Sequence, residues 1–219
     1  MKVTIAMSDP FVAGLVLAAG GSRTLGRPKP LLPYNGGTLL DHALTTARAC
    51  EFDQLLVTVG SKVEKVRARV NLSGTEVVPN LPAALAALDP ATTSLVLILG
   101  DQPGVVPGTV RVLLAAGGDA PIAVCRYDDG RGYPLAVARE LFEDLRALPG
   151  EKAIWRLLGR HEAAVTEVPV AGRVPPEVDS WADYEEVVAA AGHGPTPELS
   201  SRGAGREAPI RGWRRGLRG

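Results

Sequence analysis

Leu15-Val16-Leu17-Ala18-Ala19-Gly20-Gly21-Ser22-Arg23-Thr24-Leu25-Gly26-Arg27-Pro28-Lys29-Pro30-Leu31 is the stretch from which the rest of the chain is read. An apolar run, Val12 to Ala19, stops at Gly20-Gly21, and a polar loop follows with Arg23, Gly26, Arg27 and Lys29. A buried strand that empties into a glycine-rich loop exposes backbone N–H groups, and such a concavity holds anions, phosphates above all. The three basic side chains bring positive charge to the same place. Two common phosphate loops are excluded by spacing. Glycines at 20, 21 and 26 do not make Gly-x-Gly-x-x-Gly. Gly21 and Gly26 have the P-loop interval, but Arg27-Pro28 stands where a lysine and a magnesium-holding hydroxyl are needed. The stretch is read as a nucleoside triphosphate site.

Composition sets the outer bounds. The chain has 219 residues, 46% of them hydrophobic, with a mean hydropathy of +0.09, which suits one globular α/β domain with a real core. No apolar run approaches the ~20 residues that span a bilayer, and Met1 to Pro10 lacks the long apolar core of a signal peptide. The expected address is cytoplasmic, without membrane contact. Cys50 and Cys125 sit far apart in apolar surroundings and read as buried small hydrophobes. Zero net charge conceals an asymmetry: residues 192–219 carry six arginines against Glu198 and Glu207, leaving 18 of the 24 basic and 22 of the 24 acidic residues for 1–191. The expected organisation is a domain over 1–191 and a basic Gly/Arg-rich tail over 192–219, disordered by composition. A nucleic-acid role for that tail ranks well behind a solvated extension.

Strands alternate with helical patterns, the sign of a mostly parallel sheet with crossovers. Thr38, with Asp41 three residues on, opens a helix to about Cys50. Gln54 to Val59 and Glu76 to Val78 read as strands, separated by a helix from about Ser61 to Val70. Ala83 to Leu88 is a brief helix. Ser94-Leu-Val-Leu-Ile-Leu99 is apolar on both faces and belongs in the middle of a parallel sheet. It ends in Gly100-Asp101-Gln102-Pro103. Ligands of open parallel sheets sit at the carboxyl ends of strands, so Asp101 is placed to hold a magnesium ion against nucleotide phosphates. Pro107 starts a helix through Ala116. Ile122 to Arg126 and Tyr133 to Ala138 are strands that can pair as a hairpin, with Asp128 to Gly132 as the turn. A helix runs from Arg139 to Leu148, Val165 to Val168 is a last strand, and a closing helix reaches Ala191. Asp179 is the cap of that helix, a second magnesium ligand, or both.

Leu17 to Lys29 resembles the signature Leu-Ala-Ala-Gly-x-Ser-x-Arg-Met-Gly-x-x-Lys. That signature belongs to MobA-like NTP transferases of the GT-A-like fold, in particular the molybdenum cofactor cytidylyltransferases. Gly100-Asp101-Gln102-Pro103 is similar to a second signature of the same family. Arg131-Gly132-Tyr133-Pro134 resembles its Arg-Gly-His-Pro, with tyrosine in place of histidine. The resemblance implies a three-layer α/β/α Rossmann-like nucleotidyltransferase fold. It implies that Leu17, Ala18, Ala19, Gly20, Gly21, Ser22, Arg23, Lys29 and Asn80 bind the nucleotide. Arg23, Lys29 and Asp101 would act in catalysis, and Asp101 and Asp179 would hold Mg2+.

The implied reaction is attack of an acceptor phosphate on the α-phosphorus of a nucleoside triphosphate, with loss of pyrophosphate. CTP is the favoured donor and the molybdopterin cofactor the favoured acceptor. A molybdoenzyme or its maturation factor is the implied partner. Three features depart from the family: an extra residue between Arg23 and Gly26, a short connection at Asn80-Leu81-Pro82, and Gly150-Glu151-Lys152-Ala153-Ile154-Trp155 in place of Gly-Asp-Lys-Gly-Ala-Arg. Two alternatives stay open: a GTP- or sugar-phosphate-using member of the superfamily, and a non-catalytic nucleotide-binding relative.

Overall fold

A computed structural model describes residues 10–19, 25–26, 28–118, 120–148 and 152–192. Gly20, Gly21, Ser22 and Arg23 of the glycine loop, Glu151, and the basic tail from residue 193 onward lie outside the described residues.

The apolar run forms β1 (Phe11–Leu17), and the two-residue strands β2 (Pro33–Tyr34) and β3 (Gly37–Thr38) make a small ribbon after the loop. Then come α1 (Leu39–Arg48), β4 (Gln54–Thr58), α2 (Val63–Arg67), β5 (Glu76–Val78), α3 (Leu81–Ala87) and β6 (Thr92–Leu99). The second half has α4 (Pro107–Gly117), β7 (Ile122–Tyr127), β8 (Gly130–Ala138), α5 (Phe142–Arg146), α6 (Ala153–Arg160), β9 (Val165–Pro169) and α7 (Trp181–Gly192).

Seven strands form one sheet in the order β5-β4-β1-β6-β8-β7-β9. All run one way except β8, which is antiparallel to both β6 and β7. Alternate residues of each strand serve opposite faces. Val96 and Ile98 join α1 and α4 on one side, while Leu95 and Leu97 join α3, α5 and α6 on the other. The architecture is therefore three-layer α/β/α with a mostly parallel sheet. Both cysteines are buried and unpaired.

Local signals act where their chemistry requires. Thr38 and Asp41 form a reciprocal capping box at the start of α1. Asn80 caps α3, its side-chain oxygen accepting from the Ala83 N–H at 3.0 Å. Two expectations need correction. The β7–β8 turn is shorter than expected, because Gly130, Arg131 and Gly132 already pair with Tyr127, Arg126 and Cys125. Asp179 is not the cap of α7: Ser180 Oγ accepts from the Asp183 N–H at 3.2 Å, and the Asp183 carboxylate receives the Ser180 N–H at 2.7 Å. Ser180 and Asp183 have the spacing of a capping box, which leaves the Asp179 side chain for other work.

The parallel pairing of β1 with β6 matches Leu17 with Leu99, so the two loops that follow leave the sheet side by side. They touch. Gly100 donates its N–H to Leu17 O at 2.9 Å, and a Cβ on Gly100 would lie 2.8 Å from Ala18 Cβ and 3.2 Å from Leu17 O. Glycine is required there by close approach. Gly100→Ala should destabilise the fold by about 1–3 kcal/mol through overpacking, read as a lower urea midpoint with an unchanged m-value.

Candidate active site

A cavity of about 610 Å³ opens at the carboxyl ends of β1 and β6, on the side of the sheet covered by α3, α5 and α6. Leu17, Ala18 and Ala19 form one edge, with Thr58 at the end of β4. Thr58 locks the chain there, since its carbonyl and its Oγ1 receive the Ala18 N–H at 3.0 and 3.1 Å. Asn80, Leu81 and Pro82 form a second edge, and Leu99, Gly100 and Asp101 the floor. The opposite wall comes from the second half of the chain: Tyr133 of β8, Arg146, Ala147 and Leu148 at the end of α5, and Ala153 and Ile154 of α6.

Three charged groups meet in this cavity. Lys29 follows the loop in a short 3-10 turn and is buried, its side chain only 9% exposed. Its Nζ donates to Asp101 Oδ2 at 3.3 Å and also to Asp179 Oδ1. These residues are separated by 72 and 150 positions, so only the fold brings them together. Burial opposes the charge on Lys29, but hydrogen bonding to Asp179 and the field of Asp101 outweigh it and hold the ammonium above its ordinary range. For Asp101 burial wins. It pushes the carboxyl above the usual aspartate range despite the neighbouring Lys29, and Asp179 adds to the rise.

Asp179 reaches the cavity because a strap, residues 170–180, is tied across the end of β6. Val170 donates its N–H to Arg126 O at 2.9 Å, and Asp128 donates its N–H to Gly172 O at 2.9 Å. The Asp129 carboxylate receives the Val174 N–H at 2.8 Å. Buried Gln102 then donates from Nε2 to Pro175 O at 2.6 Å, and Val178 donates its N–H to Asp101 O at 3.2 Å. Val178 is fully buried with Leu25, Leu32, Leu39 and Val187, which pins the strap to α1 and α7. Asp128 and Asp129 thus anchor the strap from the turn after β7. His42 has a comparable duty: its Nε2 donates to Pro103 O at 3.0 Å and holds α1 against the loop after β6.

Of the residues singled out in the sequence, Leu17, Ala18, Ala19, Lys29, Asn80, Asp101 and Asp179 all line one cavity. Gly20, Gly21, Ser22 and Arg23 lie outside the described residues. Thr58, Arg146 and Glu177, which no motif singled out, line the same cavity, and so does Tyr133 of the Arg-Gly-Tyr-Pro stretch. Arg146 and Glu177 carry no local signal that separates them from surface charge. Tyr133 does, since it sits at the start of a strand whose pairing sets it beside the end of β6. Burial lifts the Tyr133 hydroxyl above the usual tyrosine range, helped by Glu177 and Asp101, so it stays protonated. The cysteines offer no nucleophile, because burial pushes both thiols up to about 12.

Removing the lysine tests this electrostatic account. Lys29→Met takes away the cation that opposes burial, so Asp101 should titrate higher still, seen in a 13C carboxyl titration. A carboxyl raised in the folded state contributes stability below the ordinary aspartate pKa and loses it as pH rises through the folded value. Unfolding free energy should therefore fall over a wider pH window in the variant than in the native chain.

Residues 14–165 match the family model described as the MobA-like NTP transferase domain. Nicotine blue oxidoreductase of Paenarthrobacter nicotinovorans is 32% identical over 145 residues, covering 58% of this chain and 71% of that protein. The crystal structure of Rv0371c from Mycobacterium tuberculosis H37Rv superposes with a TM-score of 0.80 at 42% identity, covering 84% of this chain and 100% of that one. The same protein in complex with manganese gives 0.76 at 42% identity, covering 82% and 98%. The matched residues make up more than half of the chain, which belongs to the MobA-like NTP transferase domain family.

Proposed function

We propose that this protein transfers a nucleoside monophosphate from a nucleoside triphosphate to a phosphorylated acceptor and releases pyrophosphate. CTP is the donor and the molybdopterin cofactor the acceptor, giving molybdopterin cytosine dinucleotide. The observation that carries this reading is the meeting of Lys29, Asp101 and Asp179 at the carboxyl ends of β1 and β6. A cation and two carboxylates at the mouth of a parallel sheet, beside a glycine loop, suit a polyphosphate and its counter-ion. The choice of CTP and of a pterin acceptor is supported by the likeness of Leu17-Ala18-Ala19-Gly20 and Asp101-Gln102-Pro103 to the cytidylyl-transferring branch.

Among the described residues no group of three or more His, Cys, Asp or Glu side chains could hold a metal. Magnesium does not need one. It keeps most of its waters and is held by one or two carboxylates together with substrate phosphates, which Asp101 and Asp179 would supply. They already share one cation, the Lys29 ammonium, so the set fits a hard cation. The manganese complex of Rv0371c adds support for a divalent ion. Bound there, the metal would neutralise charge on the α-phosphate.

The protein groups then act by position and charge. Backbone N–H groups from Gly20 to Arg23 would cradle the β- and γ-phosphates. Arg23 and Lys29 would offset the charge that grows on the departing pyrophosphate. Leu17, Leu81 and Pro82 offer an apolar bed for the base, with Asn80 and Thr58 as its polar neighbours. No covalent intermediate is needed, because the attacking oxygen belongs to the acceptor.

A second reading follows from the nicotine blue oxidoreductase relative: the same cavity would take a redox cofactor in place of a triphosphate. Calorimetry with magnesium and CTP, GTP, ATP or UTP separates the readings. We expect CTP to bind in preference, and Asp101→Ala to weaken binding and lower the transfer rate about 100- to 1000-fold. Equal binding of all four triphosphates would discard the base assignment. If none bound, while a nicotinamide or flavin cofactor did, the redox reading would replace the transferase one.

A further inference from the structure

Gln102 follows Asp101 directly and is only 4% exposed. Its Nε2 donates to Pro175 O at 2.6 Å, but its Oε1 is buried with no hydrogen-bond partner among the described residues. An amide oxygen taken out of water and left unpaired costs stability. Methionine has the same reach and no such oxygen, so stability alone gives no reason for an amide at this position. The reason lies at the other end of the side chain. Pro175 belongs to the strap, and four residues further along the strap stands Asp179.

Two rungs join the loop after β6 to the strap: Gln102 reaches Pro175, and Val178 donates its N–H to Asp101 O at 3.2 Å. Shape seats the strap as well. A Cβ on Gly104 would lie 2.7 Å from Pro175 Cβ, and a Cβ on Gly132 would lie 2.9 Å from Val174 Cγ1. One glycine of the loop after β6 and one of β8 thus make the notch that holds Val174 and Pro175. On the far side of Asp179 the backbone is held again, its N–H donating to Asp183 Oδ2 at 3.0 Å. The Asp179 side chain is 68% exposed, so packing does little to fix it. Its place opposite Asp101 follows from the backbone secured before and after it. A single short segment, residues 101 and 102, therefore presents one carboxylate and clamps the carrier of the other.

We propose that Gln102 is a positioning residue. By clamping Pro175 it keeps the Asp179 carboxylate at the separation from Asp101 at which the pair takes a divalent cation. The inference rests on the reading of Asp101 and Asp179 as metal ligands given above. Gln102 is not part of the cavity lining, so it acts through Asp179 and touches neither ion nor nucleotide. Groups behind the ligands that fix a carboxylate's orientation carry a large share of a metal site's affinity. The unpaired oxygen is the cost of placing a donor where only a planar amide reaches the strap carbonyl.

Mn2+ alone is the probe, titrated into the full chain and followed by the loss of the free-ion EPR signal. Asp179→Asn should weaken binding, which checks the metal reading itself. Gln102→Met should weaken Mn2+ binding about 3- to 10-fold, the worth of one hydrogen bond. Its thermal midpoint should stay level or rise, since the unpaired oxygen is gone. In an Asp179→Asn background, Gln102→Met should change Mn2+ binding less than about 2-fold, because two residues that act as one are not additive. Gly104→Ala presses on Pro175 without touching the amide and carries the same two expectations for Mn2+, should the methionine variant not fold. Native Mn2+ affinity in Gln102→Met would overturn the proposal. So would an equal loss with and without the Asp179 carboxylate, which would make Gln102 a support of the fold at large. If the native protein bound no Mn2+, or Asp179→Asn bound it equally well, the metal reading would fall first and take this inference with it.

Discussion

Leu17 and Leu99 end their strands side by side, and the site depends on that adjacency. It carries the loop of β1 and the loop of β6 off the sheet at one point, with Gly100 pressed against Ala18. A Cβ there would press on the Ala18 methyl and the Leu17 carbonyl, which can give way only at a cost in stability. A glycine chosen for packing thus also sets where Asp101 emerges. Packing and chemistry are the same constraint at this position.

The next constraint is electrostatic. A buried ammonium is costly unless paired, and a buried carboxylate equally so. Lys29 and Asp101 answer each other, and Asp179 completes the set from the solvent side, its side chain 68% exposed. The cluster is held together less by its own attraction than by the frame around it. Thr58 fixes the end of β1, His42 fixes the loop after β6, and the strap is bonded through Gln102, Asp128 and Asp129. Polar side chains that would be unremarkable on a surface serve here to position the charges. Such a frame fixes where the Lys29 ammonium meets its two carboxylates.

The cavity draws on both halves of the chain. Its first edge comes from β1, β4 and the start of α3, and its far wall from β8, α5 and α6. The reversal of β8 makes this possible. A parallel strand in that place would bring its carboxyl end, and not Tyr133, to the mouth of the cavity. The hairpin of β7 and β8 therefore delivers the beginning of a strand beside the end of β6, and gives the site a wall with different chemistry from the glycine-loop side.

Much of this was legible beforehand. Hydrophobic runs marked β1 and β6 as buried strands, since a sequence apolar on both faces can sit only between two helical layers. Thr38 and Asp41, and Pro107, announced their helices through local hydrogen bonds and a fixed φ, which need no distant partner. The glycine loop, Lys29 and Asp101 were visible because their spacing is itself the chemistry. What the chain order could not reveal was anything resting on partners far away in sequence. Asp179 read as a helix cap, a metal ligand or both until Ser180 took the cap, and the start of β8 looked like a turn until Arg131 and Gly132 found partners on β7. Tyr133, Arg146 and Glu177 became cavity residues only through strand order and the path of the strap. Local propensity is written in neighbouring residues, whereas a site assembled across 150 positions is decided by burial and register, which exist only once the chain has folded.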